Sequence, residues 1–219
     1  MTLHETRAGR MLTDAASIGG IATLVRAQPP TLGTTRLVLV DGPGGSGKTT
    51  LAGRLAEALR GRPAGGARAA DSDAPGAAGT SVQVLHADDM YEGWAGLPTL
   101  GDIVIDQVLA PMARGEAGRF RVWDWHRHQR GHEVVVTARD VLIIEGVGVA
   151  MRRARSLASL VVWVEADPCE RLRRGIARDG EDTRDDWERW QVSEREEFER
   201  EGTRAAAHVW VDGNCSLPD

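Results

Sequence analysis

The sequence predicts a three-layer α/β/α domain with a mostly parallel sheet. Short apolar runs rich in branched residues recur along the chain, and the segments between them carry helical spacing. Strands alternating with helices imply right-handed crossovers and helices on both faces of the sheet. At 219 residues the chain suits one mid-sized domain that buries its core without staples, and it has no internal repeat.

Residues 1–35 read as a polar leader with one weakly amphipathic stretch, Ile18 to Ala27, closed by Pro29-Pro30. The domain proper is expected over 36–219. Arg36 to Asp41 (RLVLVD) is a buried parallel strand, and Lys48 to Arg60 a helix through Leu51, Leu55 and Leu59. Gly61 to Ser81, rich in Gly, Ala and Pro, is expected to be a mobile surface loop. Val82 to Ala87 is the next strand and Leu100 to Arg114 the next helix. Phe120 to Val136 alternates as a hairpin or flap does. Val141 to Glu145 (VLIIE) and Leu160 to Glu165 (LVVWVE) are buried strands. Pro168 to Arg178 and Thr183 to Glu201 are helical, and His208 to Val211 is a last short strand.

Composition narrows the partners. A net charge of −5 gives no basic field for a polyanion, so a nucleic acid polymer is not expected. Cys169 and Cys215 suggest neither a disulfide framework nor a metal site. No basic segment runs into an apolar one at the N-terminus, and no stretch approaches a membrane span in length. The expectation is a cytoplasmic protein with a small-molecule partner and no membrane, with homo-oligomers left open.

The chemistry begins with lysine. Of 27 basic residues 26 are arginine, and the single lysine is Lys48. It lies in Gly42-Pro-Gly-Gly-Ser-Gly47-Lys48-Thr49, which matches G-x-x-x-x-G-K-[ST] between a buried strand and an amphipathic helix. Glycines at 42, 44, 45 and 47 let the backbone N–H groups of the loop, through Ser46 to Thr50, converge on one anion. The helix N-terminus adds partial positive charge. Lys48 can reach the β- and γ-phosphates of ATP, a compact ammonium fitting where a planar guanidinium does not. The Thr49 hydroxyl can ligate Mg²⁺. The fold class is therefore that of a P-loop NTPase. Without a second lysine no N-K-x-D guanine motif exists, and the chain is short for a motor or transporter ATPase.

Acids and arginines favour phosphoryl transfer. Asp88 and Asp89 follow the second strand, at the sheet edge where ligands of open parallel sheets sit. Asp88 can orient or deprotonate a hydroxyl or hold a metal-bound water, and either acid can instead cap a short helix. Glu145 closes VLIIE and is suited to hold Mg²⁺ through water, or else faces solvent. Arg171, Arg174 and Arg178 share a helical face, as a lid closing over a phosphoryl group would, or as a solvated basic face paired with nearby acids. Trp123-Asp124-Trp125-His126-Arg127-His128-Gln129-Arg130 can stack on a ring and bond its edges, or pack as a hairpin.

With these residues in view, the chain from about Arg36 to Asp212 resembles the uridine kinase branch of P-loop kinases, a group that includes phosphoribulokinase and bacterial pantothenate kinase. The family's D-x-F-Y segment is matched by Asp88-Asp89-Met90-Tyr91, which implies Asp88 as catalytic base and Tyr91 near the substrate. Its strand ending in E-G is matched by Glu145-Gly146. Its Y-D-F-x-x-H-x-R segment is matched by Trp123 to Arg130, which implies Trp123, Asp124, His128 and Arg130 around the acceptor. Its arginine-rich lid is matched by Arg171 to Asp179, implying Arg171 and Arg178 on the nucleotide and Arg174 in catalysis with Lys48. The implied reaction carries the ATP γ-phosphoryl group, with Mg²⁺, to a hydroxyl of a nucleoside, or of a pantothenate-like or sugar-like acceptor. A regulatory nucleotide-binding ATPase is the alternative. The chain departs from the family near Leu97 to Leu100, where the acid that holds the ribose hydroxyls is missing and Asp102 is out of register. Trp123 replaces tyrosine, and Trp94 stands in the loop after the base.

Overall fold

The computed structural model describes residues 3–5, 11–14, 17–61 and 79–219, with backbone alone considered for the first two segments. In chain order the elements are β1 (Leu3–Glu5), β2 (Met11–Asp14), α1 (Ile18–Ala27), β3 (Arg36–Asp41), α2 (Lys48–Leu59) and β4 (Val82–His86). A π-helical stretch (Asp102–Leu109) then runs into α3 (Ala110–Ala113). The hairpin β5 (Gly118–Asp124) and β6 (Gln129–Val136) comes next, followed by β7 (Val141–Glu145), α4 (Arg152–Arg155) and β8 (Leu160–Glu165). The chain closes with α5 (Pro168–Asp179), α6 (Arg184–Glu201), α7 (Thr203–Ala206) and β9 (Val209–Asp212).

The main sheet runs β1-β2-β9-β8-β3-β7-β4. Every pairing from β2 to β4 is parallel, and β1 alone is antiparallel, to β2. β3 lies inside the sheet, with β7 on one side and β8 on the other. Its C-terminal end therefore opens on the crevice where the chain turns to opposite sides.

Each central strand is apolar on both faces, as a parallel sheet covered by helices requires. Val38 and Val40 of β3 point to one core, with Ile143, Val162 and Val164. Leu37 and Leu39 point to the other, with Leu142, Ile144 and Trp163. The first core is roofed by α1 and α2 through Ile21, Val25, Leu51, Leu55 and Leu59. The second is roofed by the π-helical stretch and α6, through Val104, Val108, Trp187 and Trp190, with the hairpin contributing Phe120 and Val136.

The helix of the expected leader shares a buried core with α2. Ser17 caps α1 by accepting from the Gly20 N–H at 3.0 Å, and the Ile18 N–H donates to the Pro218 carbonyl at 2.9 Å. Two glycines, Gly19 and Gly20, weaken the apolar stripe that would have announced this packing. The expected mobile loop of 61–81 lies largely outside the described residues. No helix among the described residues is long and apolar enough to cross a membrane.

Because Ile21 is fully buried under α2, Ile21→Ala should cost about 2–5 kcal/mol, the usual range for truncating a core isoleucine. Urea unfolding measures this, and a loss below about 0.5 kcal/mol, the range of a surface site, would place α1 outside the core.

Candidate active site

The crevice is built at the C-terminal ends of β3, β4 and β7. The loop from Gly42 to Gly47 leaves β3 and delivers α2 with its N-terminus open: the residue before the helix, Gly47, is left-handed at φ 98° and supplies no side-chain cap. The first turn of α2 holds no acidic side chain. A helix end with unpaired N–H groups and no acid of its own is an anion site in waiting. The curl of the loop depends on Gly42, where φ is 144° and a Cβ would come within 2.1 Å of the Val164 carbonyl oxygen.

Lys48 is 6% exposed, and its ammonium donates to the Pro43 carbonyl at 2.8 Å, folding back across the loop. Burial pulls its pKa down, while the carboxylates of Glu145, Glu194, Asp41 and Asp88 act to hold the proton. The Thr49 hydroxyl donates to Glu145 Oε1 at 3.0 Å, and His86 Nδ1 meets the same oxygen at 2.6 Å. That hydrogen bond raises the His86 pKa against the effect of burial. Thr49 and Glu145, expected around one Mg²⁺, therefore sit together. Ser46 Oγ is buried in the loop with no hydrogen-bond partner among the described residues. A buried hydroxyl without a partner, two residues before a buried lysine at an uncapped helix N-terminus, suits the oxygens of a phosphate.

Asp88 follows β4 in a short 3₁₀ turn, Ala87–Asp89. Asp88 is exposed at the mouth of the crevice. The loss of water, reinforced by Glu145, raises its pKa, and Lys48 and Arg178 draw it down. Asp89 is half-buried and also raised, chiefly by burial, with His86 and His132 opposing.

The other expected residues divide. Arg178 is exposed at the end of α5, paired with Asp179 and 5.7 Å from the Trp187 ring. Arg174 donates to the Gly45 and Gly213 carbonyls at 3.3 and 2.9 Å and pairs with Glu170. Arg171, on the same helical face, is instead buried in an ion pair with Glu194 at 2.7 Å. The first two turns of α5 are thus tied to the P-loop, and the last turn is tied to α6, where the Trp187 indole donates to Asp179 at 3.1 Å.

On the acceptor side, the Tyr91 hydroxyl is buried and donates to the Val147 carbonyl at 2.6 Å. Arg130 bridges Glu92, the Met90 carbonyl and the Arg121 carbonyl, with its guanidinium 5.5 Å from the Trp123 ring. Asp124 accepts from the His126 and Arg127 N–H groups and shapes the hairpin turn, in which His128 is left-handed at φ 50° and exposed. Trp125 donates to the Asp88 carbonyl at 2.8 Å. Trp94 meets Trp125, Trp187 and Trp190 edge to face at 5.7, 5.5 and 6.0 Å.

Sequence reasoning missed three features. Asp41 is fully buried and its carboxylate accepts from the N–H groups of Gly42, Gly148 and Ala150 at 2.7–2.8 Å. Burial nonetheless lifts its pKa to about 6. The signal was available, because Asp41 closes RLVLVD as Glu145 closes VLIIE. Glu194 gave no signal, being one acid among many on α6. A cavity of about 300 Å³ beside Gly47 and Thr50 is lined by Arg54, Arg174 and the segment 211–217 after β8 and β9.

A family model for the AAA domain matches residues 38–202. The chain belongs to the AAA domain family. No curated protein matches it. Among solved structures, this AAA-domain chain is similar to that of a possible uridine kinase from Bacillus stearothermophilus, at 20% identity and a TM-score of 0.58, covering 89% of this chain and 97% of that one. It is also similar to the YGR205w protein, at 11% identity and a TM-score of 0.51, over 91% and 96% of the two chains. Identities this low speak for the fold, a P-loop α/β fold of the kind the motifs anticipate.

Asp41 titrates with a consequence for stability. Its folded pKa, about 6, lies above the ordinary aspartate value of 3.8, so the folded state holds the proton more tightly. The stability of the wild type relative to Asp41→Asn should therefore fall as pH rises from 4 to 7. Unfolding curves of both proteins across that range measure it, and a pH-independent difference contradicts the assignment.

Proposed function

We propose that the protein is an ATP-dependent phosphotransferase that carries the γ-phosphoryl group to a hydroxyl of a small molecule. The observation that carries the reading is the convergence at one crevice of the open α2 N-terminus, Lys48, the Thr49–Glu145 pair and Asp88. An ATPase needs the first three. The fourth, a carboxylate of raised pKa at the mouth of the crevice, suits a base that takes the proton of an attacking hydroxyl.

In this reading the N–H groups of residues 47–50 and the Ser46 hydroxyl hold the phosphates, the Gly44 N–H being taken by Glu194 instead, and Lys48 leaves Pro43 to meet them. Thr49 and Glu145 would hold Mg²⁺, Thr49 directly and Glu145 through water. The metal supplies charge neutralisation on the β- and γ-phosphates when bound. Arg178 swings from Asp179 toward the transferring group, and Arg174 fixes the P-loop against Gly213. The cavity lined by 211–217 would take the base of the nucleotide. Trp94 and Trp125 wall the acceptor, whose hydroxyl faces Asp88.

A nucleoside is the first acceptor, on the resemblance of Asp88–Tyr91, Trp123–Arg130 and the arginine helix to the uridine kinase branch. One observation favours a second reading, another hydroxylated metabolite such as a pantothenate-like or sugar-like alcohol. Leu97 and Leu100 are buried where an acid would hold ribose, and the polar groups of Tyr91, Asp124 and Arg130 are already engaged within the protein.

The test is ADP release from Mg·ATP across uridine, cytidine, pantothenate and simple sugars. One acceptor class should raise the rate, and Asp88→Asn should lower that acceptor-dependent rate by about 10²–10⁴-fold while leaving Mg·ATP binding intact. Slow release indifferent to every acceptor and to Asp88→Asn would move the protein to a regulatory ATPase.

A further inference from the structure

The middle of the P-loop is gripped from an unexpected direction. Glu194, 2% exposed on α6, accepts the Gly44 N–H on Oε2 at 2.7 Å and the Arg171 guanidinium on Oε1 at 2.7 Å. Arg171 in turn donates to the Gly44 carbonyl at 3.3 Å and the Ala166 carbonyl at 3.2 Å. Both polar groups of one loop residue are therefore held by one buried ion pair. The approach is close on every side: a Cβ on Gly44 would lie 2.8 Å from the Trp187 ring, and one on Gly45 would lie 2.5 Å from the Arg171 carbonyl oxygen.

The same helix face reaches the acceptor side. Trp187, Trp190 and Glu194 follow one another at three- and four-residue spacing and are all buried. Trp187 and Trp190 pack on Trp94, and Trp190 on Tyr91 at 5.0 Å. Trp94 touches Trp125, whose indole donates to the Asp88 carbonyl. One helix thus runs from the phosphate cradle to the wall beside Asp88.

We propose that Glu194 is a positioning residue: its carboxylate sets the Gly44 peptide of the phosphate cradle and, through α6, fixes the cradle relative to the aromatic wall of the acceptor side. The consequence for nucleotide binding rests on the phosphotransferase reading. The clamp itself does not.

Stability alone is a poor reason for such a pair. Desolvation offsets most of the attraction between buried charges, and apolar side chains of similar volume stabilise as well or better. What apolar residues cannot do is accept the Gly44 N–H. Glutamine cannot replace Glu194 either, although it has the same shape. It offers one oxygen to two donors, so its NH₂ must face either the Gly44 N–H or the Arg171 guanidinium.

Glu194→Gln tests the proposal with two readouts on the full chain. The first, amide hydrogen exchange without nucleotide, should show faster exchange in a peptide spanning residues 41–50 and unchanged exchange in β8. The second, equilibrium binding of Mg·ADP, should weaken by about tenfold, the loss expected for a hydrogen bond to a charged group. Unchanged exchange and unchanged affinity in a folded variant would overturn the proposal. So would faster exchange spread evenly over the molecule, which marks a merely structural role. Should Glu194→Gln not fold, Arg171→Lys takes its place, since it keeps a cation beside the carboxylate but loses the fork that also holds Gly44; the same readouts decide. If the wild type binds no nucleotide, the functional reading fails, and hydrogen exchange alone still decides the clamp.

Discussion

One ammonium surrounded by carboxylates organises this molecule. Lys48 is buried, and Glu145, Glu194, Asp41 and Asp88 all act on it. Four potential negative charges around one cation would repel one another if left to themselves. Three of them therefore have partners of their own: Asp41 takes three backbone N–H groups, Glu194 takes Arg171 and Gly44, and Glu145 takes Thr49 and His86. Asp88 alone among the four stands open at the mouth. The arrangement gathers acids around one cation while the start of α2, just beyond the clamped loop, keeps its N–H groups uncapped by any side chain.

Those partners also explain how the fold aligns the site. Asp41 ends β3 and binds the Gly148 and Ala150 N–H groups beyond β7, so two neighbouring strands finish in fixed register and Glu145 is set beside Thr49. Arg171 and Arg174 tie the start of α5 to the loop, and Arg178 stands exposed at its end, paired with Asp179 over the Trp187 ring. The three arginines that share a helical face thus have three different fates, decided by depth along the helix rather than by spacing.

Much of this was legible in the sequence. Branched apolar runs marked β3, β7 and β8 because strands buried on both faces admit little else, and the P-loop marked itself by glycine and the single lysine. The alternation from Phe120 to Val136 anticipated the hairpin, and the turn chemistry of Asp124 explains its tip. What stayed hidden was long-range. Ile18 to Ala27 reads as a helix, but nothing local shows that it packs on α2. Arg171 reads as a nucleotide contact and is found in a buried pair, because its partner lies 23 residues further along the chain. Glu194 sits in a segment so rich in acids that no single one stands out. Pattern reveals which residues share a face; it does not reveal what lies opposite.

The central claim is that the loop around Lys48 is a phosphate cradle. Calorimetric titration of Mg·ATP into the wild type and into Lys48→Ala tests it most directly. The account predicts saturable one-to-one binding by the wild type and its loss in the folded variant. Equal binding by both proteins, or none by the wild type, would contradict it.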